Sequence, residues 1–167
     1  LTASVEASFP DDMVTVNSIS KDGKVATVVV WSDRTPGDVY LLDVPNMKLK
    51  YAFSFYPKLK AKDLAQREPV RFKARDGLTI PAYLTLPPGR SKGLPLIVLP
   101  HGGPHGPYDK WDYDFESQLF AHHGYAVLQV NFRGSGGYGR DYEESGYKKW
   151  GRAMQDDLTD ATRWAVA

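Results

Sequence analysis

A histidine- and glycine-rich stretch directly after an apolar run is the first candidate for chemistry. The run "LPLIVLP" at residues 94–100 is followed by His101, Gly102, Gly103 and Pro104. Paired glycines let a chain turn sharply after a strand and leave backbone N–H groups facing a pocket, which is how such a loop supplies part of an oxyanion hole for acyl transfer. A turn-rich connection between a strand and a helix is an equally good interpretation.

A second glycine-rich stretch, "QVNFRGSGGYGR" at residues 129–140, follows another apolar run. Gly134, Gly136 and Gly139 have the G-x-G-x-x-G spacing of a dinucleotide-binding turn. That turn requires a helix that opens at the last glycine and an acidic residue at the end of the next strand. The polar residues after Gly139 predict neither feature, so the sequence disfavours a nucleotide site.

Ser135 lies in the same stretch and is a candidate nucleophile by residue type. A nucleophile elbow has the pattern G-x-S-x-G on a sharp turn from strand to helix, whereas Arg133 stands two positions before Ser135. We therefore expect Ser135 to be a loop serine that bonds backbone groups. Ser91, in "GRSKG" at residues 89–93, does have the G-x-S-x-G spacing, but it lies in a predicted loop that is followed by a strand rather than by a helix.

The histidines do not have a metal-binding pattern. His101 and His105 are four residues apart, but the prolines and glycines around them exclude the helix that would bring both rings to one ion, and the chain has no cysteine. His122 and His123 are interpreted as surface residues near the C-terminus of a helix. The sequence predicts no metal and no cofactor.

The elements that must position these residues differ along the chain. Residues 14–56 contain short β-branched runs separated by turn signals such as Asp22-Gly23, and they predict an antiparallel meander of three or four strands. The charged segment 57–69 predicts a linker, with a domain boundary near Lys60.

After the linker, strands alternate with helices. The sequence first predicts a hairpin around Asp76-Gly77 and then a strand at 94–100 that is buried on both faces. A helix follows, with one face formed by Trp111, Phe115, Leu119 and Phe120. A buried strand at 125–132 comes next, and a last helix begins at Met154, with Leu158, Ala161 and Ala165 on the same face. Carboxylates are expected in the first turns of the two helices, at Asp109, Asp112 and Asp114 and at Asp156 and Asp157. This order predicts an α/β fold with a mixed sheet.

Composition limits the classes of partner. The 21 basic and 20 acidic side chains leave a net charge of +1, which favours neither nucleic acid nor an anionic membrane, and no apolar run is long enough to span a bilayer. We expect a soluble protein, and the lack of cysteine leaves cytoplasmic and periplasmic locations open. The start "LTASVEASFP" and the unterminated helical pattern in "LTDATRWAVA" indicate that both ends are cut.

Three stretches together, "LPLIVLPHGGPHGP", "NFRGSGGYGR" and "KKWGRAMQDDLTDATRWAVA", resemble the prolyl oligopeptidase family of serine peptidases, in its acylaminoacyl-peptidase and dipeptidyl-peptidase-like branch. The resemblance covers residues 66–167, and residues 1–60 resemble more loosely the last blade of a β-propeller. It implies that residues 61–167 are the N-terminal part of an α/β-hydrolase domain that cleaves short peptides, while the propeller restricts access.

The resemblance also assigns roles to individual residues. Gly103 is implied to donate its amide to the oxyanion, with His101 and Gly102 in the same loop. A second active-site loop is implied at Asn131, Arg133, Gly134 and Ser135. Within it, Arg133 is implied to support neighbouring loops rather than to take part in the chemistry.

The family's nucleophile, aspartate and histidine are implied to follow residue 167, so this chain alone is expected to be inactive. The nucleophile strand would pair with residues 94–100, and the edge left unpaired is expected to promote self-association or pairing with the missing part. A peptide is the implied substrate of the whole protein. The alternative is a natural non-catalytic, hydrolase-like module that binds a partner.

Overall fold

The computed structural model describes residues 2–167, which divide into two compact units. The first unit contains the described residues up to Leu64 together with Asp112–Phe115. The second contains Ala65–Trp111 and Glu116–Ala167. The main division therefore falls between Leu64 and Ala65, within the segment that the sequence predicts as a linker.

A four-stranded antiparallel sheet forms most of the first unit. Its strands are β1 (Met13–Ile19), β2 (Val25–Trp31), β3 (Asp38–Asp43) and β4 (Lys48–Ser54), and they lie in the order β1-β2-β3-β4. The predicted meander is confirmed, because each strand pairs with its neighbour in the chain. A β-branched sequence favours this extended backbone, and "VATVVVW" supplies the inner strand β2.

The core of the first unit lies on one face of this sheet. Ala26, Val28 and Val30 alternate along β2 and are buried, as the two-residue period of a strand requires. Val5 packs in the same cluster from a five-residue helix, α1 (Thr2–Glu6). This helix has no marked capping signal, and the sequence did not predict it.

A mixed sheet forms the centre of the second unit. Its strands are β5 (Arg67–Lys73), β6 (Thr79–Thr85), β7 (Leu96–Val98) and β8 (Ala126–Val130), in the order β5-β6-β8-β7. The hairpin of β5 and β6 is antiparallel, β6 and β8 are antiparallel, and β7 and β8 are parallel. The predicted α/β class with a mixed sheet is confirmed.

Three helices accompany this sheet: α2 (Phe115–His122), α3 (Arg140–Glu144) and α4 (Ala153–Val166). Met154 and Ala161 of α4 are buried in the core with Leu128 and Val130 of β8, so the helix predicted from Met154 is confirmed. Its expected fourth position, Ala165, is exposed. None of the helices in residues 2–167 is long and apolar enough to cross a membrane.

The apolar face predicted for α2 is wrong. Phe115 and Leu119 are exposed, and the helix buries Ser117, Gln118 and Ala121 instead. The polar side chains are buried because each has a partner: Gln118 accepts a hydrogen bond from the Ala65 amide and donates one to the Ala65 carbonyl, at 2.9 and 2.8 Å. The spacing of apolar residues along the sequence does not indicate hydrogen bonds between buried polar groups.

The aspartates before α2 also differ from the prediction. The helix begins at Phe115, so Asp109, Asp112 and Asp114 all precede it, and Glu116 is the acidic residue of its first turn. The side chain of Asp109 accepts a hydrogen bond from Gln129 of β8 at 3.2 Å. Asp109 therefore belongs to the loop and not to the helix.

The strand predicted at 94–100 is shorter and less buried than expected. Its regular part is the three residues of β7, which are half-buried. Backbone bonds from Ala126 to Pro95 and from Leu99 to Leu128, both 2.9 Å, extend the pairing by one residue at each end. Among residues 2–167, β7 pairs with β8 alone and is an outer strand of its sheet, which accounts for its lower burial.

Candidate functional site

Two loops meet at one edge of the mixed sheet. The first loop (residues 100–110) follows β7, and the second loop (residues 131–139) follows β8. Because β7 and β8 are parallel neighbours, their carboxyl ends lie at the same edge, where open α/β sheets bind ligands. The topology thus brings together the two stretches that the sequence singled out.

The amides of the first loop are open to a ligand. Gly102 and Gly103 are exposed. Within residues 2–167 neither amide nitrogen donates a hydrogen bond. Gly103 has φ of 133°, which glycine adopts readily and other residues rarely do. Glycine is therefore required at position 103 by the backbone, and two N–H groups face solvent at the end of β7.

His101 connects the two loops. Its Nε2 atom lies 2.7 Å from the Ser135 hydroxyl of the second loop, and its Nδ1 atom lies 2.8 Å from the carbonyl oxygen of Gly102. The imidazole also stacks on the Phe132 ring, with 4.6 Å between ring centroids and 18° between planes. No local sequence pattern indicates the bond to Ser135, because the two residues are 34 positions apart.

Ser135 and His101 have the residue types of a nucleophile and its base, but the geometry excludes that role. Ser135 has 0% of its surface exposed, so no substrate carbonyl reaches its hydroxyl. The hydroxyl is also 2.7 Å from the Phe132 carbonyl, to which it can donate. Ser135 bonds a backbone group, as the sequence indicated, and it holds the His101 ring in addition.

The glycines of the second loop are explained by close packing. A Cβ atom on Gly136 would overlap the carbonyl oxygen of Gly106 in the first loop, and one on Gly137 would lie 2.7 Å from the Tyr108 ring. A Cβ on Gly134 would overlap the end of the Met154 side chain. These positions are filled by protein atoms, which leaves no space there for a pyrophosphate.

One argument against a nucleotide site is wrong, however. A helix does begin after the last glycine of the G-x-G-x-x-G pattern, since Gly139 precedes α3. This helix has five residues, and the next element is α4 rather than a strand with an acidic end. The dinucleotide interpretation therefore still lacks its second requirement.

Asn131 fixes the first loop to the end of β8. Its side chain accepts a hydrogen bond from the Asp109 amide at 2.7 Å and donates one to the Asp109 carbonyl at 3.0 Å. The side-chain amide thus pairs with both backbone groups of Asp109, as the backbone of a neighbouring strand would. It also donates to the Tyr138 hydroxyl at 2.8 Å. Burial is the main cause that raises the pKa of Tyr138 to about 12.

Arg133 joins the second loop to two distant segments. Its guanidinium forms two bonds with Asp157 of α4, at 2.8 and 2.7 Å, and two with Asp76 of the β5–β6 turn, at 2.7 and 3.1 Å. The Arg133 amide also donates to Asp157 at 3.0 Å. Arg133 is 7% exposed and Asp157 is 0% exposed, so this ion pair is buried.

Charge pairing determines the protonation of this cluster. The hydrogen bonds from Arg133 hold the pKa of Asp76 at about 2, well below its usual value. A second arginine, Arg75, bonds Asp160 of α4 at 2.9 Å and lowers the pKa of that carboxyl as well. Asp157 was expected to interact with the helix dipole, and it instead neutralises a buried cation.

The other histidines have separate partners. Trp150 donates its indole N–H to Nε2 of His105 at 3.1 Å, so the rings of His101 and His105 are held by different groups. His123 lies at the end of α2 and donates from Nδ1 to the Leu119 carbonyl at 2.8 Å. Within residues 2–167, no cluster of three or more histidine, aspartate or glutamate side chains could hold a metal ion.

A cavity of about 260 Å³ opens beside the first loop. His101, Phe132, Trp150, Met154 and Leu158 contribute to its lining, which is mostly apolar. Its position next to the exposed amides means that a group bound here would lie close to the Gly102–Gly103 peptide. The site can therefore combine amide donors with an apolar surface.

Comparisons with known proteins identify relatives of both units. A model of the prolyl oligopeptidase family matches residues 111–167. The chain is 40% identical to dipeptidyl aminopeptidase BIII of Pseudoxanthomonas mexicana, over 97% of this chain and 24% of that protein. It is 34% identical to dipeptidyl peptidase family member 6 of Caenorhabditis elegans, over 95% of this chain and 24% of that protein.

Among solved structures, the chain is similar to an acylaminoacyl peptidase of Pyrococcus horikoshii, with a TM-score of 0.65 and 26% identity. The similarity covers 89% of this chain and 24% of that one. These relatives are much longer, so the chain spans about a quarter of the length of the proteins that it matches.

Replacing Arg133 by methionine is expected to destabilise the second unit by about 3–5 kcal/mol, because Asp157 would remain buried without its cation. Arg140→Met is the matched control, since Arg140 is exposed and, among the described residues, pairs with Glu144 alone, one turn away. Its expected cost is below about 1 kcal/mol. Urea denaturation followed by tryptophan fluorescence measures both, and equal stabilities of the two variants would contradict the assigned role.

The Arg133→Met variant should also change the pKa of Asp76. Without Arg133, the pKa of Asp76 is expected to rise from about 2 towards its ordinary value near 3.9. In the unchanged protein the contribution of Asp76 to stability is complete above pH ~4 and is lost as the pH falls to ~2. Asp76 is 49% exposed, so this contribution is small, and NMR titration of its carboxyl carbon is the appropriate measurement.

Gly136→Ala is expected to force the two loops apart, at a cost of about 1–3 kcal/mol, because the new methyl group would meet the Gly106 carbonyl. Gly102→Ala is the control. Neither glycine has a positive φ, and no atom lies within 4 Å of a Cβ built at Gly102. The control should change stability by less than ~0.5 kcal/mol. Denaturation curves that coincide for the two variants would refute the close packing.

Proposed function

The chain belongs to the prolyl oligopeptidase family of peptidases, and on that basis we propose that the protein containing it hydrolyses peptide bonds of short substrates through an acyl-enzyme formed on a serine. The named relatives are peptidases, and the first is a dipeptidyl aminopeptidase. The role of this chain in the reaction is to stabilise the oxyanion rather than to supply the nucleophile.

The observation that carries the proposal is the pair of unbonded amides at the end of β7. Attack on a peptide carbonyl places negative charge on its oxygen, and fixed N–H donors lower the barrier most when they are already oriented before the reaction. Gly103 is assigned as a donor because its amide is exposed and donates no bond within residues 2–167. Gly102 and His101 belong to the same loop and shape it.

The nucleophile is proposed to lie outside the 167 residues. The one G-x-S-x-G spacing in the chain, around Ser91, lies in the exposed connection between β6 and β7 and is followed by a strand rather than by a helix. Ser135 is buried. An outer strand such as β7 has a free edge with which the strand before the nucleophile can pair. The cavity beside His101 is the adjacent space in which the nucleophile turn is proposed to sit. This chain by itself is accordingly proposed to be inactive.

The two units have separate proposed roles. The second unit is proposed to be the N-terminal portion of an α/β-hydrolase domain, since its mixed sheet ends in the two loops of the site. The first unit is proposed to be the last blade of a β-propeller, since a four-stranded antiparallel meander is the repeating element of that architecture. A propeller would admit short peptides to the site.

A fluorophosphonate probe tests the proposed chemistry, because it reacts with activated serines. The complete gene product that contains this chain should be labelled at one serine, and mass spectrometry should place that serine outside residues 1–167. The separate 167-residue chain is the control and should remain unlabelled. Labelling of Ser135, or no labelling of the complete protein, would overturn the proposal, and the second result would favour a non-catalytic binding module.

A backbone change tests the oxyanion donor. Glycolic acid in place of Gly103 turns one amide into an ester, which removes its N–H group and makes the Gly102 carbonyl a weaker acceptor. We expect kcat of the complete protein to fall by about 10²–10³, as when other oxyanion donors are removed. The same replacement at Gly89, in an exposed loop, is the matched control and should leave kcat unchanged. An unchanged kcat after replacement at Gly103 would exclude this amide as the donor.

A further inference from the structure

We propose that Ser135 is a positioning residue for the oxyanion site, which acts through the His101 ring on the direction of the Gly103 N–H group. The inference rests on the proposed function, since it assumes that this amide meets an oxyanion. It gives a function to a buried serine that is neither a nucleophile nor a ligand. The His101 ring contacts both the Ser135 hydroxyl and the Gly102 carbonyl, and the planar peptide group after Gly102 carries the effect to Gly103.

The peptide group between Gly102 and Gly103 connects the histidine to the donor. In a planar trans peptide, the C=O and N–H bonds point in opposite directions. Nδ1 of His101 lies 2.8 Å from the Gly102 carbonyl oxygen and can only donate to it, since a carbonyl does not donate. Fixing the direction of this carbonyl therefore fixes the direction of the Gly103 N–H group as well.

The hydrogen bond also changes the strength of the donor. A peptide whose carbonyl accepts a hydrogen bond is polarised, and its N–H group becomes a better donor to the next acceptor. An exposed loop of glycines would otherwise sample many orientations, because glycine has the widest range of backbone angles. The His101 ring thus restricts the one peptide plane that the oxyanion needs.

The direction of the hydrogen bond between Ser135 and His101 is coupled to which ring nitrogen carries the proton. A neutral imidazole has a single N–H group, and the bond to Gly102 requires that proton on Nδ1. Nε2 is then an acceptor, and the Ser135 hydroxyl at 2.7 Å can donate to it. If the hydroxyl instead donates to Phe132, a neutral ring must place its proton on Nε2, and the bond to Gly102 is lost. All three bonds form together only on a ring protonated at both nitrogens.

Ser135 is held in a rigid part of the second loop, so it can fix the position of the His101 ring. It is fully buried, and its amide donates to the Phe132 carbonyl at 3.0 Å. The neighbouring Gly134 amide donates to the Tyr142 carbonyl at 3.1 Å, and Arg133 is held by two carboxylates. The His101 ring is in turn stacked on Phe132. A group on such a support can hold an exposed loop in place.

The proposal predicts a specific kinetic effect. An oxyanion contact is strongest in the transition state, so loss of its orientation lowers kcat while substrate binding changes little. Misdirecting a donor should have less effect than deleting it, which costs about 10²–10³ in kcat. For Ser135→Ala we expect kcat to fall by about tenfold or more, with KM within about twofold of the unchanged protein.

A matched control separates this effect from a general loss of structure. The Ser145 hydroxyl donates to the carbonyl three residues earlier, that of Tyr142, at 2.6 Å, and among residues 2–167 it has no hydrogen bond to a histidine. Ser135→Ala and Ser145→Ala therefore each remove a hydroxyl that lies within hydrogen-bond distance of the carbonyl three residues earlier. In the complete protein, only Ser135→Ala should lower kcat. Equal kcat for the two variants, or a parallel loss of kcat and stability in both, would overturn the proposal.

Ring-nitrogen NMR of His101 decides the mechanism without relying on turnover. In the unchanged complete protein, Nδ1 should carry a proton, and in Ser135→Ala this tautomer preference should weaken. A neutral ring protonated only at Nε2 would overturn the proposal even if Ser135→Ala did not fold. If the unchanged protein neither turns over peptides nor reacts with the fluorophosphonate, the proposed function fails, while the ring measurement still tests the contact between Ser135 and His101.

Discussion

A guanidinium buried beneath the second loop joins three segments that are far apart in the sequence. Arg133 binds Asp76 in the turn of the β5–β6 hairpin and Asp157 in the last helix, 57 and 24 residues away. Taking these charges out of water costs several kcal/mol, which their attraction offsets only when the geometry is good. The two-oxygen contact with each carboxylate provides that geometry, so the cluster specifies one arrangement of hairpin, loop and helix.

The second loop, which Arg133 holds in place, in turn holds the first loop in place. Asn131 bonds the backbone of Asp109, Gly136 packs against Gly106, and Ser135 holds His101. The exposed amides at Gly102 and Gly103 therefore depend on contacts made by a different loop. The proposed oxyanion site requires such dependence, because its donors must be fixed before charge develops.

The parts of the fold that follow from local pattern were predictable from the sequence. The β-branched residues of "VATVVVW" identify β2, and Asp76-Gly77 identifies the β5–β6 hairpin. Each of these signals is contained within a few consecutive residues of the sequence. The helix α2 was misjudged because Gln118 and Ser117 are buried by pairing with distant groups. Arg133 and Ser135 could be recognised by motif, but their partners at Asp157 and His101 lie 24 and 34 residues away, and no local pattern shows them.

The strand order of the mixed sheet has a consequence for synthesis of the chain. The strand β8 lies between β6 and β7 but is the last of the four to leave the ribosome. The β5–β6 hairpin can form early, whereas β7 has no partner among residues 2–167 until residue 130 is available. Non-local pairing of this kind slows folding, because loop closure precedes the gain from the contact. The strand β7, which bears the proposed oxyanion loop, therefore stays without a strand partner from residues 2–167 until β8 has been made.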